Sequence, residues 1–247
     1  MAYLSASTGQ PIRAVLFDTF GTVVDWRTGI AREMRAFLDT HGIEGVDPWE
    51  LASAWRARYQ PAMQTIRDGD RDFVPLDVLH LENLRAVLAE YRLPTSISSA
   101  ELWRLNTAWH RLDPWPDSVP ALTSIKLDYV IGPLSNGNLA LLVNMAKRAE
   151  LPWDVVIGAD VTGVYKPQPA AYTSAAELLG LPPSAVMLVA AHNNDLRAAR
   201  ESGFATAFVL RATEHGPGQT TDLAATGDWD IVGGTLGDVA RELTDSR

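Results

Sequence analysis

Groups that could act together lie far apart in the chain: Asp18, the pair Ser135-Asn136, Lys166, and the cluster His192-Asn193-Asn194-Asp195. Asp18 ends the apolar run Ala14-Val15-Leu16-Phe17 and opens the turn Asp18-Thr19-Phe20-Gly21-Thr22. A short run without polar interruption fits a strand buried on both faces, and the glycine marks the turn that follows. In an open α/β sheet, chemistry gathers beyond the carboxyl ends of the strands, which is where this pattern places the carboxylate. Taken alone, Asp18 reads as well as the cap of a helix or turn. Leu134-Ser135-Asn136-Gly137 supplies a hydroxyl, an amide and a turn glycine ahead of a helix, whose free amides favour an anion; it is equally an ordinary capped helix start. Lys166 precedes Pro167, a position biased towards extended backbone, where a merely solvated lysine is the common case. Val186-Met187-Leu188-Val189 runs into Ala190-Ala191 and then the cluster ending in Asp195, a strand that ends in polar residues and opens a helix, as many plain loops do.

The elements that must position these groups change character along the chain. Residues 1–11 read as a loose leader, followed by a strand at about 13–18. From Trp26 to about His110, apolar residues such as Ile30, Met34, Phe37, Leu51, Trp55, Met63 and Ile66 recur at helical spacing. This predicts helices at about 27–41, 48–68, 75–91 and 98–111, punctuated by Gly42, Pro48, Pro75 and Pro94. Asp113-Pro114-Trp115-Pro116 closes that block, because prolines two apart continue neither a helix nor a ladder. Beyond it, strands at about 128–134, 154–158, 186–190, 205–210 and 229–232 alternate with helices at about 118–126, 138–149, 169–180, 194–202 and 235–244. The Gly/Thr-rich stretch 213–227 reads as a surface loop. The sheet is thus split in sequence, its first strand preceding an inserted helical unit that lies over the mouth holding Asp18.

Composition sets the outer limits. The chain has 247 residues, 47% of them apolar, enough for a large buried core. Its 21 Lys and Arg against 30 Asp and Glu give a formal net charge of −9, with no basic block to follow a phosphate backbone, so nucleic acid is not an expected partner. The absence of cysteine removes disulfides, thiolate metal sites and cysteine nucleophiles. There is no signal-like start and no apolar run of about 18 residues, so neither secretion nor a membrane is expected and the location expected is cytoplasmic.

The order and spacing of these motifs resemble the haloacid dehalogenase superfamily. In that resemblance Asp18 in Phe-Asp-Thr-Phe-Gly-Thr matches the nucleophile motif, Ser135-Asn136 the second motif, Lys166 the third and Asp195 the fourth. It implies an α/β fold, a Rossmann-like parallel-sheet core of residues 1–25 and 116–247, with an all-helical cap inserted at 26–115. Most members are magnesium-dependent phosphatases, which place a second aspartate two residues after the nucleophile. Here that position is Phe20, and Ala190-Ala191 stand where further metal-binding acids are expected. A hard cation prefers several carboxylate oxygens, so no metal and no cofactor are expected.

An aspartate nucleophile without a metal suits attack on saturated carbon, where a halide leaves without needing a proton. The closer resemblance is to the L-2-haloacid dehalogenases, which carry an aromatic residue at the Phe20 position and a Trp-Arg pair matched by Trp55-Arg56. It implies that Asp18 displaces halide to form an ester, which water hydrolyses to a 2-hydroxy acid. Lys166 would hold Asp18 ionised, Arg56 and Asn136 would receive the halide, and Asp195 with His192 would address the hydrolytic water. Ser135, Thr19 and the backbone after Asp18, with Phe20, Trp55 and Asn194, would contact the substrate. Relatives commonly read Ser-Ser-Asn-x-Trp-Asp at the fourth motif, whereas this chain has Ala190-Ala191-His192-Asn193-Asn194-Asp195. His192 is therefore also a candidate third halide donor, which would admit fluoride and make fluoroacetate a substrate. The expected partner is a small haloacid, with a homodimer as a candidate assembly. The rival readings are a magnesium-dependent small-molecule phosphatase and a non-catalytic ligand-binding protein of the same fold.

Overall fold

The computed structural model describes residues 2–94 and 97–245. In chain order the elements begin with strands β1 (Ala14–Phe17) and β2 (Val24–Asp25). Helices α1 (Trp26–Thr40), α2 (Pro48–Ala57), α3 (Tyr59–Arg67), α4 (Leu76–Glu90) and α5 (Ser99–Asn106) follow, with a 3₁₀ turn at Thr107–Arg111. Then come β3 (Asp113–Pro114), α6 (Ser118–Ile125), β4 (Val130–Ser135), α7 (Leu139–Ala149), β5 (Ile157–Gly158), α8 (Ala159–Thr162) and α9 (Pro169–Leu178). The chain continues with β6 (Val186–Ala190), α10 (Asn193–Glu201), β7 (Ala205–Val209), β8 (Ile231–Gly233) and α11 (Leu236–Asp245).

Six strands form one parallel sheet in the order β5-β4-β1-β6-β7-β8. β1 lies inside it, hydrogen-bonded to β4 on one side and β6 on the other. This explains its uninterrupted apolar sequence. Val15 and Phe17 face a core shared with α6, α7, α11 and the helical block, while Ala14 and Leu16 face a second core with α9 and α10. Burying both faces requires helices on both sides, the three-layer arrangement of α/β folds. The helices from α1 to α5 occupy the chain between β2 and β3, and Asp25 caps α1 by accepting from the Thr28 N–H at 3.0 Å.

Several local expectations are corrected. The helix expected at 48–68 is two helices broken at Arg58, because Pro61 has no N–H for the carbonyl of Ala57 and its ring would clash there. Asp113 and Pro114 do enter a ladder, pairing antiparallel with Val24 and Asp25 in a two-residue ribbon, where Pro114 can sit because that pairing is short and at an edge. The first residues are not loose: Leu4 bridges to Pro11, and Ser5 and Ser7 donate to the Asp230 carboxylate at 2.7 and 2.8 Å. A buried acid such as Asp230 requires donors, and the leader supplies them. The stretch 213–227 also reaches the interior, since Glu214 is only 1% exposed.

Candidate active site

Three adjacent strands, β4, β1 and β6, end at the same edge of the sheet and bring Ser135-Asn136, Asp18 and the 190–195 cluster together. The Asp18 backbone N–H continues the β1 ladder by donating to Val189 O at 3.0 Å, which fixes the carboxylate at the strand end. Its Oδ1 accepts from Lys166 Nζ at 2.9 Å, and its Oδ2 accepts from Thr22 Oγ1 at 2.9 Å and lies 3.1 Å from His192 Nδ1. Thr22 is itself oriented by the Ala191 N–H, which donates to its hydroxyl oxygen at 2.9 Å.

Lys166 is buried and bridges two acids. Its Nζ reaches Asp18 and also Asp195 Oδ2, at 2.5 Å, while the Tyr172 hydroxyl donates to Asp195 Oδ1 at 2.5 Å. Its backbone N–H donates to Asn136 Oδ1 at 2.7 Å, so the second and third motifs hold each other. Burial would push the Asp18 carboxyl up, but the Lys166 charge and the hydrogen bond and charge of His192 outweigh it and hold Asp18 well below the usual carboxylate range. Burial likewise opposes charge on Lys166, and Asp18 and Asp195 reverse this and raise it above the usual lysine range. An ion pair so buried is a weak source of stability; its effect is to keep one carboxylate ionised and aimed.

Asp18, Phe20, Arg56, Asn136, Lys166, His192, Asn194 and Asp195 line one cavity of about 790 Å³. Arg56 comes from α2, and its guanidinium lies over the rings of Tyr59, Trp26 and Phe20 at 4.1, 5.3 and 5.7 Å. One of its nitrogens, Nη1, is buried without a partner among the described residues. Three expected contacts stand behind the cavity wall. Trp55 donates from Nε1 to His80 O at 2.9 Å and packs edge-on against Trp109, Ser135 Oγ accepts from the Gly137 N–H at 3.1 Å, and the Thr19 hydroxyl is buried without a partner among the described residues.

Other parts of the site carried no signal in the sequence reading. Glu214 accepts from Trp26 Nε1 and lies against His192 Nε2, both at 2.9 Å. Gly21 makes room for it: with φ at +85°, a Cβ there would fall 2.1 Å from Glu214 Oε1. Both His192 nitrogens therefore face carboxylates, leaving no N–H for a halide. Tyr172 sits six residues beyond Lys166 on α9, where it reads as a core residue. The helical block grips the strand-end loops directly. Arg67 donates to Lys166 O at 2.9 Å, the Tyr165 hydroxyl donates to Val74 O at 2.7 Å, and the Asp77 carboxylate accepts from Asn138 Nδ2 at 2.9 Å while His110 Nε2 lies 2.9 Å away.

A magnesium ion, used by many enzymes of this fold, does not fit the donor set. The space between Asp18 and Asp195 is bridged by the Lys166 ammonium, and Phe20 packs edge-on against Tyr59 and Trp109 where another acid would be needed.

A strand-end aspartate paired with a lysine, beneath a helical insertion, defines the class: the chain belongs to the haloacid dehalogenase-like hydrolases, whose family model matches residues 12–203. Within it, the chain is 31% identical over 207 residues to (S)-2-haloacid dehalogenase 1 of Pseudomonas sp. (strain CBS-3), covering 82% of this chain and 86% of the relative. Among solved structures it is similar to the defluorinating L-2-haloacid dehalogenase Rha0230, at 57% identity and a TM-score of 0.97 over 98% of this chain and 99% of the other. It is also similar to the L-2-haloacid dehalogenase PA0810, at 45% identity and a TM-score of 0.89 over 95% and 99%.

Proposed function

We propose that this protein hydrolyses short 2-haloacids, fluoroacetate among them, to 2-hydroxy acids without a metal. The observation that carries the reading is an ionised aspartate held by a lysine, facing a half-buried arginine whose Nη1 has no partner among the described residues. Asp18 attacks the carbon bearing the halogen, forming an ester as the carbon–halogen bond breaks. The departing halide carries its charge towards Arg56 and Asn136, donors already in place before the reaction. Water then hydrolyses the ester and restores Asp18. The similarity to a defluorinating enzyme supports fluoride as a leaving group. We assign residues 26–115 as a cap over a core of 1–25 and 116–247, and take the enzyme as a cytoplasmic homodimer. No described helix is long and apolar enough to cross a membrane.

The test is a halide-release panel of fluoro-, chloro- and bromoacetate and both enantiomers of 2-chloropropionate, with and without chelator. Release unaffected by chelator supports the reading. Phosphate release from p-nitrophenyl phosphate only with magnesium, and no halide from any acid, would replace it with a phosphatase.

A further inference from the structure

Glu214 is a buried acid on the loop between β7 and β8, and the displacement of halide makes no use of it. It is nevertheless tightly built in. Trp26 Nε1 holds one oxygen at 2.9 Å, His192 Nε2 lies 2.9 Å from the other, and the left-handed Gly21 leaves it space that any side chain would fill. On the opposite side of the same ring, His192 Nδ1 lies 3.1 Å from Asp18 Oδ2. A neutral imidazole carries one N–H and can donate to only one of two flanking carboxylates; an imidazolium donates to both.

The two Asp18 oxygens are not equivalent. Oδ1 has the Lys166 ammonium as its donor, whereas Oδ2 is bracketed by the Thr22 hydroxyl and His192. Oδ1 is therefore the freer oxygen and the one that attacks, which leaves Oδ2 as the carbonyl oxygen of the ester. We propose that Glu214 is a positioning residue that keeps His192 doubly protonated, so that His192 Nδ1–H and the Thr22 hydroxyl form the oxyanion hole for hydrolysis of the Asp18 ester. This rests on the dehalogenase reading and extends it to the second half-reaction.

Water bonds to Asp18 Cγ and gives a proton to Asp195, while the carbonyl electron pair moves onto Oδ2 and is met by the two donors. The pair returns, the Cγ–Oδ1 bond breaks, and Oδ1 leaves with the product, taking a proton from Lys166 Nζ beside it. Asp195 returns its proton to Lys166 across 2.5 Å, and the new Asp18 carboxylic acid loses its proton to solvent. An imidazolium has no lone pair to accept a proton from water, which leaves Asp195 as the base. Burial opposes charge on the His192 ring, but Glu214 and Asp18 outweigh it and hold the ring well above its ordinary value; Glu214, despite its own burial, is held low chiefly by His192.

The experiment is rapid-quench kinetics of Glu214→Gln with excess L-2-chloropropionate, following chloride release and the mass of the intact protein. Glu214→Gln keeps the shape and removes the charge that stabilises the imidazolium. The expected result is a chloride burst of one equivalent at nearly the unmodified rate, then turnover slowed about 100-fold, the scale for losing one oxyanion donor, with the ester accumulating on Asp18. Equal slowing of both steps, or no ester, overturns the assignment. Should Glu214→Gln fail to fold, Trp26→Phe, which frees the other oxygen of Glu214, is expected to accumulate ester in the same way to a smaller degree, and its absence overturns the assignment too. Absence of chloride release by the unmodified protein sinks the dehalogenase reading itself, whereas normal release with no ester in the variant sinks only the role of Glu214.

Discussion

Replacing Arg56 by methionine separates function from folding. The guanidinium is half-buried among Tyr59, Trp26 and Phe20 and makes no ion pair among the described residues, while its Nη1 is buried without a partner. Leaving such a group unsatisfied costs about 1–3 kcal/mol, which methionine would recover. Against this stand three ring contacts worth roughly 0.5–1 kcal/mol each, which methionine replaces in part with apolar and sulfur–aromatic packing. The two effects nearly cancel, so the unfolding free energy of Arg56→Met is expected within about 1 kcal/mol of the unmodified protein. Activity has no such compensation. Losing one pre-aimed donor at a developing charge costs about 10²–10³ in rate, and the loss should be larger for fluoride than for chloride because fluoride concentrates the same charge in a smaller volume. Urea unfolding gives the first quantity, and halide electrodes with fluoroacetate and chloroacetate give the second. A variant that keeps its rate within threefold would refute the halide role of Arg56, and one that unfolds several kcal/mol more easily would make Arg56 a structural residue.

Asp18→Asn is expected to fold and to release no halide; steady release without reversion of the amide to the acid, checked by mass, would exclude Asp18 as nucleophile. Excess chelator is expected to leave halide release unchanged, and a loss restored by magnesium would refute the metal-free reading. His192 is held above its unfolded value, so its contribution to stability is complete below about pH 6.5 and disappears as pH rises through the raised folded value. Asp18 and Glu214 are held low, so theirs is present above about pH 4 and fades as pH falls through their depressed values. Urea midpoints across pH should therefore decline on the alkaline side, and His192→Asn should flatten that decline; an unchanged slope would show that the ring is not charged. Asp77→Ala strips a buried network of its acid, leaving His110 and Asn138 without it, and is expected to cost roughly 3 kcal/mol in urea unfolding; a cost under about 1 kcal/mol would show that this network is wet.

The sheet and the place of Asp18 in it were legible because burial on both faces leaves a direct trace: a strand such as β1 can carry no polar residue until it ends, and Asp18 is where it ends. The arginine was legible only through its resemblance to a family, since Arg56 on an amphipathic helix looks like any solvated residue. Glu214 was not legible at all. It lies in a stretch without period, and what surrounds it, Gly21 and Trp26 from one part of the chain and His192 from another, comes together only in space. The break between α2 and α3 was written in Pro61, but the helical spacing on either side of it continued and masked it. Trp55 is expected at the substrate only because the Trp55-Arg56 pair matches one in the family it resembles, and in space the indole turns away from the cavity towards His80 and Trp109.

The aromatic shell around Arg56 gives the protein a built-in optical probe. Trp26 stacks on Trp109 at 6.2 Å, and Trp109 meets Trp55 at 5.5 Å, so three of the eight indoles lie close enough to exchange excitation. Only Trp26 of the three borders the cavity. A heavy anion such as iodide seated at Arg56 would drain the excited state of the whole trio through that one ring. Emission would then report the filling and emptying of the anion position in real time, with no label attached and no reaction required.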